Sequence, residues 1–468
     1  MPVSFCAPTD RTRVLWAAIL ASSMGFIDSS VTAIALPAMR AALGATLIEA
    51  QWINTAYLLV VSSLVLVGGA MGDRFGIARV FGIGIWIFVA GSLACAAAQT
   101  PEQMIAARAI KGLGAALMVP GSMALVARAY PVEARGRALG LWAAASTLTT
   151  ALGPVIGGMF VTWGGEVGWR LIFALNLPLG LAALALVKGR TPGDLGRPGT
   201  PVDLPGAGLA AGGLGLLAWA LTDPGAGPLI WALAAAALLA FLGWEAMAPA
   251  PMLRLGLFRN RTLAVTNLVT LTLYFALNGV MFYLPMTAVS AWGVSALEVT
   301  AAFLPISVMI GVLSAPAGRM ADRWGAGVMM AAGAGLVACA YAGLWLAAPF
   351  GQFWAHVVPL TALAGLGLGL AVAPLTAAAM QGAEDGEQGA ASGINNAVAR
   401  VAGMVAVALL GRVASQAYGE AEPGFGLTAI SPAHLAATGQ AFGQVALIAS
   451  LGAATAAVLA LAVRRPVR

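Results

Sequence analysis

Long apolar stretches follow one another along the chain with little between them. Six run over residues 14–36, 51–70, 80–98, 104–125, 138–161 and 171–188. A segment rich in proline, glycine and arginine at 189–204 precedes two more, 205–221 and 229–247. Six others lie at 263–288, 297–317, 327–347, 354–376, 392–413 and 440–463. A hydrocarbon core about 30 Å thick needs ~20 apolar residues of helix, so each stretch has the length of a span. The pattern predicts an all-α membrane protein with fourteen transmembrane helices. The first stretch is too long for the apolar region of a signal peptide, and further spans follow it.

Composition agrees. Of 468 residues, 60% are hydrophobic and 9% charged, where a soluble domain carries about a quarter charged. A water-soluble fold cannot hide that much apolar surface. The 59 glycines suit close helix packing in lipid, which supplies no hydrophobic drive between helices. Cys6, Cys95 and Cys339 are scattered and fit neither a disulfide framework nor a metal site. The pI near 9.6 reflects bases spread through loops, so topology accounts for them rather than nucleic acid. With the N-terminus inside, inner segments and the tail hold eighteen Lys and Arg, from Arg11 to Arg464, Arg465 and Arg468. Outer segments hold three, Arg40, Arg170 and Arg412. This bias predicts a multi-pass protein of a bacterial inner (plasma) membrane with both termini cytoplasmic.

An octapeptide recurs. Gly69-Ala70-Met71-Gly72-Asp73-Arg74-Phe75-Gly76 follows the second stretch, and Gly318-Arg319-Met320-Ala321-Asp322-Arg323-Trp324-Gly325 follows the tenth, each in an expected inner loop. The match predicts two related halves, 1–188 and 248–468, with linker and two extra helices at 189–247. The pairs Asp73–Arg74 and Asp322–Arg323 read either as solvated turns between glycines that supply positive φ, or as gates. In a gate, Asp73 faces a helix N-terminus or an arginine of the other half.

Four ionisable residues fall inside the spans: Asp28, Arg108, Lys111 and Arg400. A mid-helix charge costs at least ~2.5–3.5 kcal/mol, so each needs a partner or a task. Arg108 and Lys111 are spaced i, i+3 and share a helix face, at a depth that matches Asp28 if the first and fourth helices face each other. The trio is either a static ion pair or a proton site. Arg400, beside Asn395 and Asn396, is a second cavity charge or is capped by carbonyls. Gly153, Pro154, Gly157 and Gly158 are expected to kink and thin the fifth helix. Glu245 is expected at the interface, and His356 and His434 in solvent at the outer face. One acid against three bases disfavours dicationic ligands, which need carboxylates to replace their hydration.

These features resemble the major facilitator superfamily, in its fourteen-helix drug:proton antiporter branch. Asp28-Ser29-Ser30-Val31-Thr32-Ala33-Ile34-Ala35-Leu36-Pro37 is similar to the branch's first-helix signature, with Ala33 in place of Asn. Arg108-Ala109-Ile110-Lys111-Gly112-Leu113-Gly114 is similar to its fourth-helix motif, with Lys111 in place of Gln. Gly153-Pro154-Val155-Ile156-Gly157-Gly158 resembles the antiporter motif, and Trp169-Arg170 and Asn176-Leu177-Pro178 fit the branch. Ile77-Ala78 replaces the usual basic pair after Gly76. The resemblance implies two six-helix bundles plus two central helices, with the first and fourth helices lining a cavity.

Proton-coupled export of small amphiphilic compounds is the expected function. A nutrient symporter is the alternative, which the Gly-Pro motif disfavours, and a non-transporting receptor is the reading from another class. The sequence has no phosphate-binding Gly-x-x-x-x-Gly-Lys-Ser/Thr loop. It has no metal cluster and no Ser/His/Asp set. The expectations are therefore a non-enzyme without metal or cofactor, driven by the proton gradient and working as a monomer. Its partners are a small-molecule substrate, protons and lipid.

Overall fold

The computed structural model describes residues 5–381 and 387–463; Arg464, Arg465 and Arg468 lie outside the described residues. Its helices are α1 (Arg11–Leu43), α2 (Leu47–Phe75), α3 (Ile77–Ala97), α4 (Pro101–Ala129) and α5 (Val132–Trp163), then α6 (Gly168–Ala174) and α7 (Asn176–Val187). They continue as α8 (Leu204–Thr222), α9 (Pro228–Met247), α10 (Arg261–Ala291), α11 (Ala296–Trp324) and α12 (Ala326–Ala347). The last three are α13 (Val358–Gln381), α14 (Gln388–Tyr418) and α15 (Pro432–Ala460). With α6 and α7 as one span broken at Leu175, fourteen helices among the described residues are long and apolar enough to cross a membrane. Among the described residues the fold is all-helical, as the apolar pattern predicts.

Several helices overrun their apolar stretches. Residues Gly69 to Phe75 continue α2, and Gly318 to Trp324 continue α11. The repeated octapeptide is thus the last two turns of a helix rather than a loop: its charged residues tolerate water beyond the apolar zone, and its glycines cost only about 1 kcal/mol each in helix propensity. Gly69 and Gly318 are helical. Only the closing glycines take the positive φ expected of the motif, Gly76 at 102° and Gly325 at 96°, which lets the next helix start at once.

The chain forms two compact units. Unit 1 holds Met1–Thr32, Trp52–Leu216 and Ala232–Met252; unit 2 holds Ala33–Gln51, Leu217–Trp231 and Leu253–Arg468. In unit 1, α3 lies along α4 and against α6 and α7. A Cβ on Gly84 would sit 2.9 Å from the carbonyl oxygen of Gly114, and one on Gly114 would sit 2.7 Å from that of Gly84. The two backbones therefore touch with no room for a side chain. In unit 2, α12 lies along α13 and α15, and Gly333 and Gly367 meet in the same reciprocal way. Gly84 and Gly333 each stand eight residues after the octapeptide's closing glycine. The repeat therefore extends from a motif to a packing plan.

Three polar residues differ from their expected settings. Arg40 is buried in unit 2, where its Nε donates to Ala45 O at 3.0 Å and its Nη1 to Phe425 O. His434 is buried, with Nδ1 2.6 Å from the Tyr418 hydroxyl. Glu245 is buried in unit 1 rather than snorkelling, against Asp203 at the foot of α8. In each case a polar partner from elsewhere in the chain replaces water, which the helix-end position alone does not reveal. The Asp203 carboxylate also accepts from Gly206 N at 2.9 Å and Trp244 Nε1 at 2.8 Å. Burial pushes its pKa up, but these donors outweigh it and hold the carboxyl below its usual range.

Gly114→Val and Gly367→Val are each expected to cost about 3 kcal/mol or more, because the added carbons meet backbone that cannot yield. Thermal unfolding of the purified variants measures this. Unchanged midpoints would mean that the crossings are looser than described.

Candidate functional site

The site is built on α4. Thr100 caps its start by accepting from Gln103 N, with Pro101 at the first helical position. A Cβ on Gly91 of α3 would lie 2.8 Å from Lys111 N, and one on Gly112 would lie 2.9 Å from Tyr57 O of α2. The α4 backbone is therefore clamped between α2 and α3 at the very turn that carries Lys111. Arg108 lies one turn earlier on the same face.

Asp28 of α1 meets both bases. Its Oδ1 accepts from Lys111 Nζ at 2.5 Å and its Oδ2 from Arg108 Nη1 at 2.6 Å. Arg108 Nε donates to Ile53 O at 3.0 Å. Asp28 is 1% exposed, and Arg108 and Lys111 are 0%. Aromatic rings complete the cage: the guanidinium lies 4.5 Å from the Tyr57 centroid, and Lys111 Nζ lies 4.7 Å from Phe88 and 4.6 Å from Phe173. Desolvated cation–ring contacts of this kind are worth up to about 2 kcal/mol. Phe173 lies just before the break at Leu175, and its carbonyl accepts from Ser92 Oγ at 2.9 Å, while Asn176 Nδ2 donates to Ser92 Oγ at 2.9 Å. Arg108 Nη2 is buried with no hydrogen-bond partner among the described residues. The trio carries one negative and two positive charges, a net +1 in a dry site.

The sequence identifies the three charged members and misses the rings. Tyr57, Phe88 and Phe173 are spread over three helices with no motif between them. Asn176 is the sole local hint, because a polar residue before Leu-Pro marks the break that aims Phe173.

The remaining candidates lie apart from this trio. Gly153 and Gly157 are buried where α5 crosses α1: a Cβ on either would overlap Ser30 Oγ or Val31 Cγ2. Pro154 and Gly158 are buried beside them, and α5 stays one continuous helix. The glycines thus seat α5 immediately after Asp28 in the α1 sequence. Arg400 belongs to unit 2, half-buried on α14.

Asp73, Arg74, Asp322 and Arg323 are exposed. The helix N-terminus beside Asp73 is held by a different acid. Asp194, from the linker, accepts from Ile77 N at 3.0 Å and Ala78 N at 2.6 Å, and lies 3.7 Å from Arg128 Nη1. A carboxylate there satisfies two unpaired amides and the positive end of the α3 dipole. Arg197 N donates to Asp73 O at 2.8 Å, which fastens the linker to the motif. An apolar pocket of about 530 Å³ lies on α5 among Ile156, Met159, Phe160 and Trp163; it includes no member of the trio.

The family model of the Major Facilitator Superfamily matches residues 18–407. The chain belongs to the major facilitator superfamily. Among its relatives in this superfamily, the methylenomycin A resistance protein of Bacillus subtilis is 34% identical over 83% of the chain and 84% of the relative. The tetracenomycin C resistance and export protein of Streptomyces glaucescens is 31% identical over 87% and 77%. In fold, the chain is similar to a bacterial homolog of the human lysosomal transporter Spinster, with a TM-score of 0.70 at 15% identity over 98% of this chain and 99% of that one. This facilitator is a transporter and not an enzyme.

The buried trio makes a stability prediction. Asp28→Asn leaves two cations without a counter-charge and is expected to cost about 3–5 kcal/mol. Lys111→Gln leaves a neutral Arg–Asp pair and costs less. Adding Lys111→Gln to Asp28→Asn should recover part of the loss, which a double-mutant cycle on thermal midpoints reads. Strict additivity would mean that the charges do not interact.

Proposed function

We propose that this facilitator is a proton-driven exporter of small amphiphilic compounds, sited in a bacterial plasma membrane with both termini cytoplasmic and working as a monomer without cofactor. The observation that carries the reading is the sealed Asp28–Arg108–Lys111 site. Three ionisable side chains at full burial are kept at a cost in stability, and small changes in access alter which of them holds a proton. The resistance and export functions named for the relatives support the direction of transport. The seating of α5 on α1 by Gly153 and Gly157 supports exchange rather than import, because it links the helix bearing Asp28 to the helix bearing the antiporter motif.

The energetics suffice. One proton moving through 100 mV releases about 2.3 kcal/mol. At about 1.4 kcal/mol per decade, this holds a roughly fifty-fold gradient. The substrate class follows from the charge of the site: with one acid against two bases, it offers no counter-charge to a dication. Neutral, zwitterionic and anionic amphiphiles are the fitting ligands.

Everted vesicles given a dye panel, with and without an imposed pH gradient, test the reading. The gradient should drive uptake, and Asp28→Asn at equal membrane content should collapse the roughly fifty-fold gradient toward unity while downhill exchange persists. Uptake indifferent to the pH gradient in the unaltered protein would end the proposal.

The octapeptide ends act as gates in this scheme, unequally, since only the first half carries the acid and the Gly-Pro motif. Asp73→Asn should slow turnover more than it weakens substrate binding and more than Asp322→Asn does, and should raise cysteine labelling from the cytoplasmic side. Normal turnover with unchanged labelling would leave the motif a folding element.

A further inference from the structure

We propose that the proton which couples transport is carried by Lys111 Nζ, and that Asp28 stays ionised throughout as its fixed counter-charge. This rests on the proton-coupled reading above and assigns the atom.

The argument begins with charge. Lys111 is faced by Asp28 from α1, by Tyr57 from α2 across the Arg108 guanidinium, by the Cys95 thiol and the Phe88 ring from α3, by Arg108 on α4, and by the Phe173 ring from α6. The guanidinium does not deprotonate in proteins. Only two exchanges are then open to the trio. A proton added to Asp28 raises the site from +1 to +2, and the Born penalty, which grows as the square of the charge, rises roughly four-fold. A proton removed from Lys111 lowers the site from +1 to zero. The second exchange moves the dry site toward neutrality and the first moves it away.

Geometry favours the same exchange. With the proton on, the ammonium lies between Phe88 and Phe173 at 4.7 and 4.6 Å and against Asp28 Oδ1 at 2.5 Å. With the proton off, the amine still has N–H bonds to donate to Oδ1, and the Arg108–Asp28 pair at 2.6 Å is untouched. The framework therefore survives both states. Protonating Asp28 instead strips Arg108 of its carboxylate. That guanidinium already has one buried nitrogen, Nη2, without a partner among the described residues, and a second loss would leave only the Ile53 carbonyl and the Tyr57 ring. In the step itself, one N–H bond of the Lys111 ammonium breaks, its electron pair stays on nitrogen, and the proton passes to a water molecule admitted when the site opens. The reverse step on the other side of the membrane reloads it.

The sequence offers a direct probe. The chain has two lysines, Lys111 and the exposed Lys188. In full-length Lys188→Arg protein in nanodiscs, labelled with 15N-lysine and 13C-aspartate, the single lysine Nζ resonance reports on Lys111, and Lys111→Arg verifies it by removing the signal. As the pH is raised from mildly acidic to mildly alkaline, the Lys111 resonance should lose its ammonium form and shift upfield, while the Asp28 carboxyl carbon, assigned by its loss in Asp28→Asn, stays at its ionised position. An Nζ that remains ammonium while the Asp28 carbon titrates would overturn the assignment to Lys111 and leave proton coupling, tested separately in vesicles, in place. If neither resonance moves, the trio is a static ion pair and both the carrier and the site chosen for coupling are wrong.

Discussion

Asp28, Arg108 and Lys111 are held by one another at 2.5 and 2.6 Å in a place that water does not reach. A charge left there without its partner costs several kcal/mol, so the packing around the trio has little freedom. Gly91, Gly112 and Gly114 bring α4 so close to α2 and α3 that its position is fixed by backbone contact rather than by side chains that can hop between rotamers. Phe88 and Phe173 wall the ammonium, and the helix break at Leu175 exists at a cost in backbone hydrogen bonds that Ser92 and Asn176 make good.

The two halves share a packing plan but not a chemistry. Reciprocal glycine crossings follow the octapeptide at equal spacing in both. The first unit buries the charged trio of Asp28, Arg108 and Lys111 among neutral hydroxyl and amide groups. In the second unit buried polarity lies largely in neutral hydrogen bonds: Gln51 Nε2 donates to Tyr283 Oη at 3.0 Å and to Val407 O at 2.6 Å. The same packing plan thus carries a buried ion trio in the first unit and, in the second, a buried arginine held by backbone carbonyls.

Much of this is legible in the sequence. Fourteen apolar runs of spanning length have no soluble interpretation, and the i, i+3 spacing by itself places Arg108 and Lys111 on one helix face. What is not legible has two causes. Arg40, Glu245 and His434 sit near helix ends, where burial depends on a partner distant in sequence, such as Phe425 for Arg40. Asp194 lies in a segment with the composition of a linker, and nothing local marks it as the residue that caps α3. The aromatic cage escapes for the same reason: its members share a space but no pattern.

That linker carries a consequence of its own. A free segment of its length acts as a tether whose closing entropy changes slowly with added residues. Here Asp194 is bonded to the first amides of α3, and Arg197 to the carbonyl of Asp73, so the tether is stapled down partway along. What remains on either side is two short loops with almost no slack. Mechanically, the connection is a strap, and the start of the helix it leads into is tied to the first unit instead of hanging from it as a pendant.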